Sequence, residues 1–174
     1  MTKGASPYIG WGRVTPAQLE QLSQLHALLF DIYARPHYMA QRVASVMSQR
    51  IIHLLQDDHA PKLSVLVGSD NNIIALASVL GLHFKMPGYA NDDPPIGGAL
   101  GIELWRDHAD GKQYVRVFYQ AQSLVQLRVL QPSGQQSLPA AITLHLTDCS
   151  DDHKGLCPLE TIISPLRKIA ALAR

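Results

Sequence analysis

Charge is scarce in this chain: Asp, Glu, Lys and Arg make up 17% of its 174 residues and nearly cancel, leaving a formal net charge of +1. There is no run of Lys or Arg, so nothing points to the phosphate-tracking groove of a nucleic-acid binder. No apolar stretch approaches the roughly 20 residues needed to span a bilayer. Met1-Thr2-Lys3-Gly4-Ala5-Ser6-Pro7 carries one positive charge with no apolar segment behind it, so no secretory signal peptide is expected in these residues. Two readings follow: a cytoplasmic product, or a piece of a longer secreted protein. Cysteine is confined to Cys149 and Cys157, close together in a polar loop. What is plentiful is apolar: 47% of residues, a globular composition in a chain long enough for one core and too short to assume two. With so little charge, some apolar surface is expected to lack a polar cover.

The first long element is predicted at Thr15-Pro16-Ala17-Gln18, which reads as an N-cap, a proline at the first helical position and a capping-box glutamine. Leu19, Leu22, Leu25, Leu29 and Ile32 then recur at three- and four-residue spacing, as one buried helical face would. Arg35-Pro36-His37 interrupts the pattern, because proline disfavours helix for the residue before it. A second amphipathic helix carries Met39, Val43, Val46, Met47, Ile51, Leu54 and Leu55 as its stripe and ends at Asp57-Asp58-His59-Ala60-Pro61. Leu63 to Val67 is short, apolar and bounded by turn formers, and reads as a buried strand, parallel and central. A helix from Ile73 to Leu82 and a loop from Tyr89 to Gly98 follow. Strands are expected at Ala99 to Trp105, at Tyr114 to Gln120 continuing irregularly towards Leu130, and at Ile142 to Leu146. A helix from Leu159 to Leu172 closes an α/β domain.

The stretch with chemical potential is Gly68-Ser69-Asp70-Asn71-Asn72, between the expected strand and its helix. Ligands of open α/β sheets collect beyond the carboxyl ends of strands. A helix start there offers backbone N–H groups and a positive dipole end to a phosphate. An aspartate at that spot can protonate a leaving oxygen if burial or a nearby phosphate raises its pKa. The same residues are also good helix caps, and the local pattern leaves both readings open.

Val67-Gly68-Ser69-Asp70-Asn71-Asn72 resembles the second signature of the histidine acid phosphatases, a strand followed by Gly-His-Asp-Thr-Asn. The likeness continues along the chain. Trp11-Gly12-Arg13 resembles the segment before that family's long helix pair, and Leu25-His26 with Phe30-Asp31 resembles the first helix of the pair. Pro87-Gly88-Tyr89, then Asp92-Asp93-Pro94-Pro95-Ile96-Gly97-Gly98-Ala99-Leu100 leading to Trp105, are similar to the loop and strand after the signature helix in the phytase and glucose-1-phosphatase members. Cys149 and Cys157, with Gly155-Leu156, are similar to a short disulfide loop of the periplasmic members.

The resemblance implies a phosphoglycerate-mutase-like α/β fold. Residues 1–174 would form one partial domain corresponding to the C-terminal part of the sheet and its flanking helices. It implies Asp70 as proton donor, Ser69 and Asn72 as phosphate contacts, no cofactor, and a phosphomonoester or inorganic phosphate as ligand. It also implies a periplasmic location, against a cytoplasmic one if Met1 is the true start. Two departures weigh against catalysis. Ser69 stands where the family has a phosphate-binding histidine, and the family's nucleophilic Arg-His-Gly occurs nowhere among the contexts of the eight histidines. The expectation is a truncated or degenerate phosphatase with little activity alone. The alternatives are a non-catalytic phosphate-ester binding module and one chain of a split phosphatase, with a homodimer or a complementing N-terminal chain as partner. For the cysteine loop three readings stand: a disulfide adding about 2–3 kcal/mol, reduced thiols, or a metal held by Cys149, His153 and Cys157 near Asp151, whose spacing does not suit structural zinc. Trp11 and Trp105 are expected to pack.

Overall fold

The computed structural model describes residues 9–128, 138–149 and 155–173. A 3-10 turn at Ile9–Gly12 leads to helix α1, Pro16–Tyr33. Its start is built as the local residues dictate: the Gln18 N–H donates to Thr15 Oγ1 at 3.2 Å, and the Thr15 N–H donates to Gln18 Oε1 at 2.8 Å. The apolar face of α1 is not buried as its spacing predicts. Phe30 is buried, but Leu22, Leu25, Leu29 and Ile32 all lie exposed. Periodicity marks a face that favours burial; among the described residues nothing covers this one.

Helix α2, His37–Gln56, starts just beyond Arg35-Pro36 as expected. Its buried row is Ala40, Ala44, Ser48, Ile51 and Leu55, which shares Ile51 and Leu55 with the predicted stripe, while Val43 and Met47 are partly buried against the core. Met39 and Val46 are instead exposed. Small side chains decide this. Ala and Ser at 40, 44 and 48 let α2 approach closely to helix α3, Asp70–Val79, and to helix α5, Leu159–Ala170. Helix α5 buries Ile162, Ile163, Leu166 and Ile169, a helical stripe that the sequence carries openly.

The sheet is antiparallel throughout. Strand β1, Ala99–Arg106, pairs along its length with β2, Gln113–Ala121. The other edge of β2 pairs with β3, Ala140–Leu144, and with the two-residue β4, Cys157–Pro158. Alternate residues Val115, Val117, Tyr119 and Ala121 of β2 are buried, the period of two that a half-covered strand requires. Phe84 stacks on Tyr119 with ring centroids 4.3 Å apart. After β2 a short helix α4, Leu124–Arg128, replaces the expected irregular strand, whose far end at Leu130 lies outside the described residues.

Leu63 to Val67 departs most from expectation. It forms no strand, and Leu63, Val65 and Val67 are 80%, 76% and 93% exposed. The β-propensity of a Leu-Val-Val pattern expresses a fit to neighbouring strands, and among the described residues it has none. The result is a trough of about 800 Å³ between residues 60–69, the C-terminal half of α2 and the side chains of Leu100, Ile102, Leu104 and Trp105 on β1. Trp11, 89% exposed, does not pack either. Trp105 is half exposed; its Nε1–H donates to Glu103 Oε2, and the Arg116 guanidinium lies over its ring.

Candidate functional site

Helix α3 begins where the sequence places its candidate site. Ser69 is the N-cap, in extended geometry at φ −102° and ψ 172°. Its N–H and its hydroxyl both donate to Asn72 Oδ1, at 2.9 and 3.1 Å. Asp70 Oδ1 accepts the N–H of Asn71 at 2.7 Å. The capping reading is therefore realised: the carboxamide oxygen of Asn72 and the carboxylate of Asp70 both turn back on the helix start. Gly68 leaves room for this arrangement: a Cβ there would lie 3.0 Å from Asn72 Oδ1 and 3.2 Å from Met47 Cε, so both side chains would have to shift by a few tenths of an ångström. Capping does not consume the site, since Asp70 stays exposed and the NH₂ of Asn72 takes no part in the box.

Asp70 and Asn71 form one wall of a cleft of about 540 Å³, and α1 and α2 form the others through His26, Leu29, Phe30, Tyr33, Met39 and Val43. His26 rests its ring edge-on against Phe30, with centroids 4.7 Å apart. Its Nδ1 lies 2.7 Å from Asp93 Oδ1. Asp93 is only 3% exposed, so its carboxylate depends on such a partner for stability. The loop that carries it is held by the residue before. Asp92 adopts φ 55°, a left-handed conformation that Asp tolerates better than most residues. Its Oδ1 accepts the Phe84 N–H at 2.9 Å, and its Oδ2 lies 2.6 Å from His83 Nδ1. Arg35 Nη2 approaches the same carboxylate to 2.9 Å without hydrogen-bond alignment. The turn at Asp92 sends the next side chain, Asp93, inward.

Behind this pair lies Tyr119, fully buried, its hydroxyl without a hydrogen-bond partner. Burial pushes its pKa well above the ordinary phenol range, and the negative charges of Asp93, Tyr89 and Asp70 push the same way. Tyr89 is raised for the same first reason, burial, and next by Asp93, against the opposing charge of Arg128. Gly98 makes room for Tyr119, since a Cβ at 98 would fall 2.1 Å from its Oη.

Asp70, Ser69 and Asn72 share one helix start but part there. Asp70 lines the cleft beside His26, while Ser69 and Asn72 line the trough under β1. The His26–Asp93 pair is an addition. Both residues belong to segments that resemble the phosphatases, but nothing in the sequence joins them across 67 positions. Cys149 and Cys157 are bonded to each other, with Cα atoms 5.4 Å apart. That overturns the reduced-thiol and metal readings, because a disulfide leaves no thiolate to bind a metal. His153 and Asp151, the other proposed ligands, lie outside the described residues. Among the described residues no group of three or more His, Cys, Asp or Glu is placed to hold a metal ion.

The profile of the Histidine phosphatase superfamily (branch 2) matches residues 7–120, which span both candidate clefts. The chain belongs to that family. It is 34% identical over 158 residues to the glucose-1-phosphatase of Salmonella typhimurium and 31% identical over 172 residues to the phytase AppA of Escherichia coli K12. These matches take in 87% and 88% of this chain but 38% of each relative. Among solved structures, the phytase of Citrobacter braakii superposes with a TM-score of 0.81 at 27% identity, covering 94% of this chain and 44% of that one. The Hafnia alvei phytase in complex with myo-inositol hexakis sulphate gives 0.76 at 30%, covering 91% and 42%. The chain therefore spans less than half the length of the relatives it matches. No helix among the described residues is long and apolar enough to cross a membrane.

Proposed function

We propose that this chain binds phosphate monoesters, or inorganic phosphate, at the start of α3 and by itself turns them over little or not at all. In this reading Asp70 protonates a leaving oxygen, and the Ser69 and Asn72 side chains meet phosphate oxygens from the trough side of the helix start. The observation that carries this reading is the position of Asp70 and Asn71 on a cleft at a helix N-terminus, directly after Gly68-Ser69. Low turnover follows from chemistry. Covalent phosphoryl transfer requires an activated nucleophile, and the sequence holds no Arg-His-Gly to supply one. Ser69 offers a hydroxyl but no positive charge. We assign the protein to an oxidising compartment, the periplasm, on the strength of the Cys149–Cys157 bond.

The test is hydrolysis of an aryl phosphate by the purified chain at acidic and neutral pH, with Asp70→Asn as control. The expected outcome is no turnover above the control. Turnover that Asp70→Asn abolishes would mean that another histidine reaches the phosphoryl group and that the nucleophile account is wrong.

A second reading is favoured by the exposed aliphatic row of Leu63, Val65 and Val67 beside the trough under β1. In it, this chain is one part of a split phosphatase, and a complementing polypeptide lays strands against this segment. A rise in hydrolysis on mixing with a chain that carries Arg-His-Gly distinguishes it from a pure binding module.

A further inference from the structure

We propose that residues 63–67 form the joint of a symmetric dimer, in which each copy lays this segment into the trough of the other. The motive is unpaired backbone. Residues 61–68 take part in no backbone hydrogen bond with the described residues, and every one of them is exposed. Across the trough, β1 pairs with β2 on one side only and is the edge of the sheet. Unpaired strand edges template pairing with another chain. The exposed apolar row of α1 lacks this drive, because its backbone is already satisfied within the helix.

The space fits one strand. Five residues rising about 3.3 Å each, with about 4.8 Å between strands and about 10 Å between layers, fill on the order of 800 Å³. That is the volume of the trough, about 800 Å³. A strand in that slot has 63–67 of its host on one side and β1 on the other. Exchange between two copies then gives a closed order: β1, the second copy's segment, the first copy's segment, and the second copy's β1. Each copy uses both edges and none is left open at the joint, as a two-fold contact allows. Antiparallel pairing about Val65 sets Leu63 of one copy opposite Val67 of the other, so the exposed apolar row meets its own image. No residue from 63 to 67 is charged, while Lys62 precedes the segment and Asp70 follows it. Antiparallel pairing therefore brings opposite charges together at each end, where parallel pairing would bring like charges together. Ser69 and Asn72 lie beyond the paired residues, and the cleft that Asp70 lines shares no residue with the trough.

The experiment is sedimentation velocity of the full chain over a range of concentrations, together with oxidative cross-linking of V65C and L63C. Cys149 and Cys157 are bonded to each other, so the introduced thiol is the free one. In the proposed joint, position 65 faces itself across the two-fold axis within disulfide reach. Two copies of position 63 lie about 13 Å apart, four residues along the strand. The expected result is a monomer–dimer equilibrium and rapid covalent dimer from V65C but not from L63C. V65P should raise the dissociation constant about tenfold or more, because it removes an N–H that is paired whichever edge it faces. A chain that stays monomeric, a dimer that V65P leaves intact, cross-linking of L63C as fast as V65C, or an open-ended ladder of larger species each overturns the proposal. So does a monomer that associates only with a chain carrying Arg-His-Gly, an outcome that favours the split phosphatase. Circular dichroism checks that each variant folds, and should V65P not fold, the two cysteine variants decide. None of these readouts uses phosphate, so failure here leaves the phosphate reading as it stands.

Discussion

Reducing the Cys149–Cys157 bond gives a stability change that can be worked from the fold. The two residues are eight positions apart. In the chain-entropy model, closing so short a loop restricts the unfolded chain by about 2.5 kcal/mol at 25 °C. Cys157 is buried and sits in β4, which is two residues long and is held to β2 only opposite Tyr114 and Val115. Two ladder positions cannot hold a strand against fraying, so the covalent tie is what keeps β4 in register. For a domain of this size each kcal/mol moves Tm by about 2–4 °C, so reduction is expected to lower Tm by about 5–10 °C. The measurement is thermal unfolding by circular dichroism of the oxidised chain, the dithiothreitol-treated chain and the double variant C149A/C157A. Backbone hydrogen exchange at positions 115 and 157 should accelerate in the last two relative to the β2 residues paired with β3. Equal melting of the three forms within about 2 °C, less than a single kcal/mol would produce, would refute the reasoning and with it the structural weight given to the bond.

Tyr119→Phe removes a buried hydroxyl that has no partner, so it should be neutral or stabilising by up to about 1 kcal/mol in urea unfolding at neutral pH. The raised pKa of Tyr119 also sets a sign. Above about pH 10 the unfolded state releases the phenolic proton while the folded state keeps it. The folded state then binds more protons and stability falls as pH rises. The variant should soften that alkaline loss without abolishing it, because Tyr89 is raised too, and an unchanged alkaline profile counts against the assignment. L63S/V65S/V67S replaces three exposed aliphatics and should change the stability of the isolated chain by about 0.5 kcal/mol or less per site. It should also reduce self-association in sedimentation velocity. A loss of about 1.5–3 kcal/mol per site would show instead that the segment is packed within this chain.

Some of this was legible because it is local. The start of α1 follows from Thr15, Pro16 and Gln18 alone, since a cap involves residues three apart. The buried stripe of α5 is written in Ile162, Ile163, Leu166 and Ile169, and the β1–β2 hairpin in strands that neighbour each other along the chain. Gly68 to Asn72 announced a helix start, and the residues expected there as cap or phosphate site are the ones that close the helix. The likeness to the phosphatases rested on short motifs of the same kind, and the family match agrees with it.

Other features depend on what lies across the fold, and no local pattern contains that. The spacing of Leu22, Leu25 and Leu29, and of Leu63, Val65 and Val67, states an affinity for burial but cannot say whether a surface is present to satisfy it. Here none of the described residues covers either row. The inner face of α2 was centred by how closely α3 and α5 approach its alanines and serines, which leaves Met39 and Val46 outside it. His26 and Asp93 meet only because the turn at Asp92 aims a buried carboxylate at a helix formed 67 residues earlier. Hydrogen bonds and packing act over a few ångströms of space. The sequence determines those contacts directly when the partners are chain neighbours, and only the tertiary structure decides them when they are not.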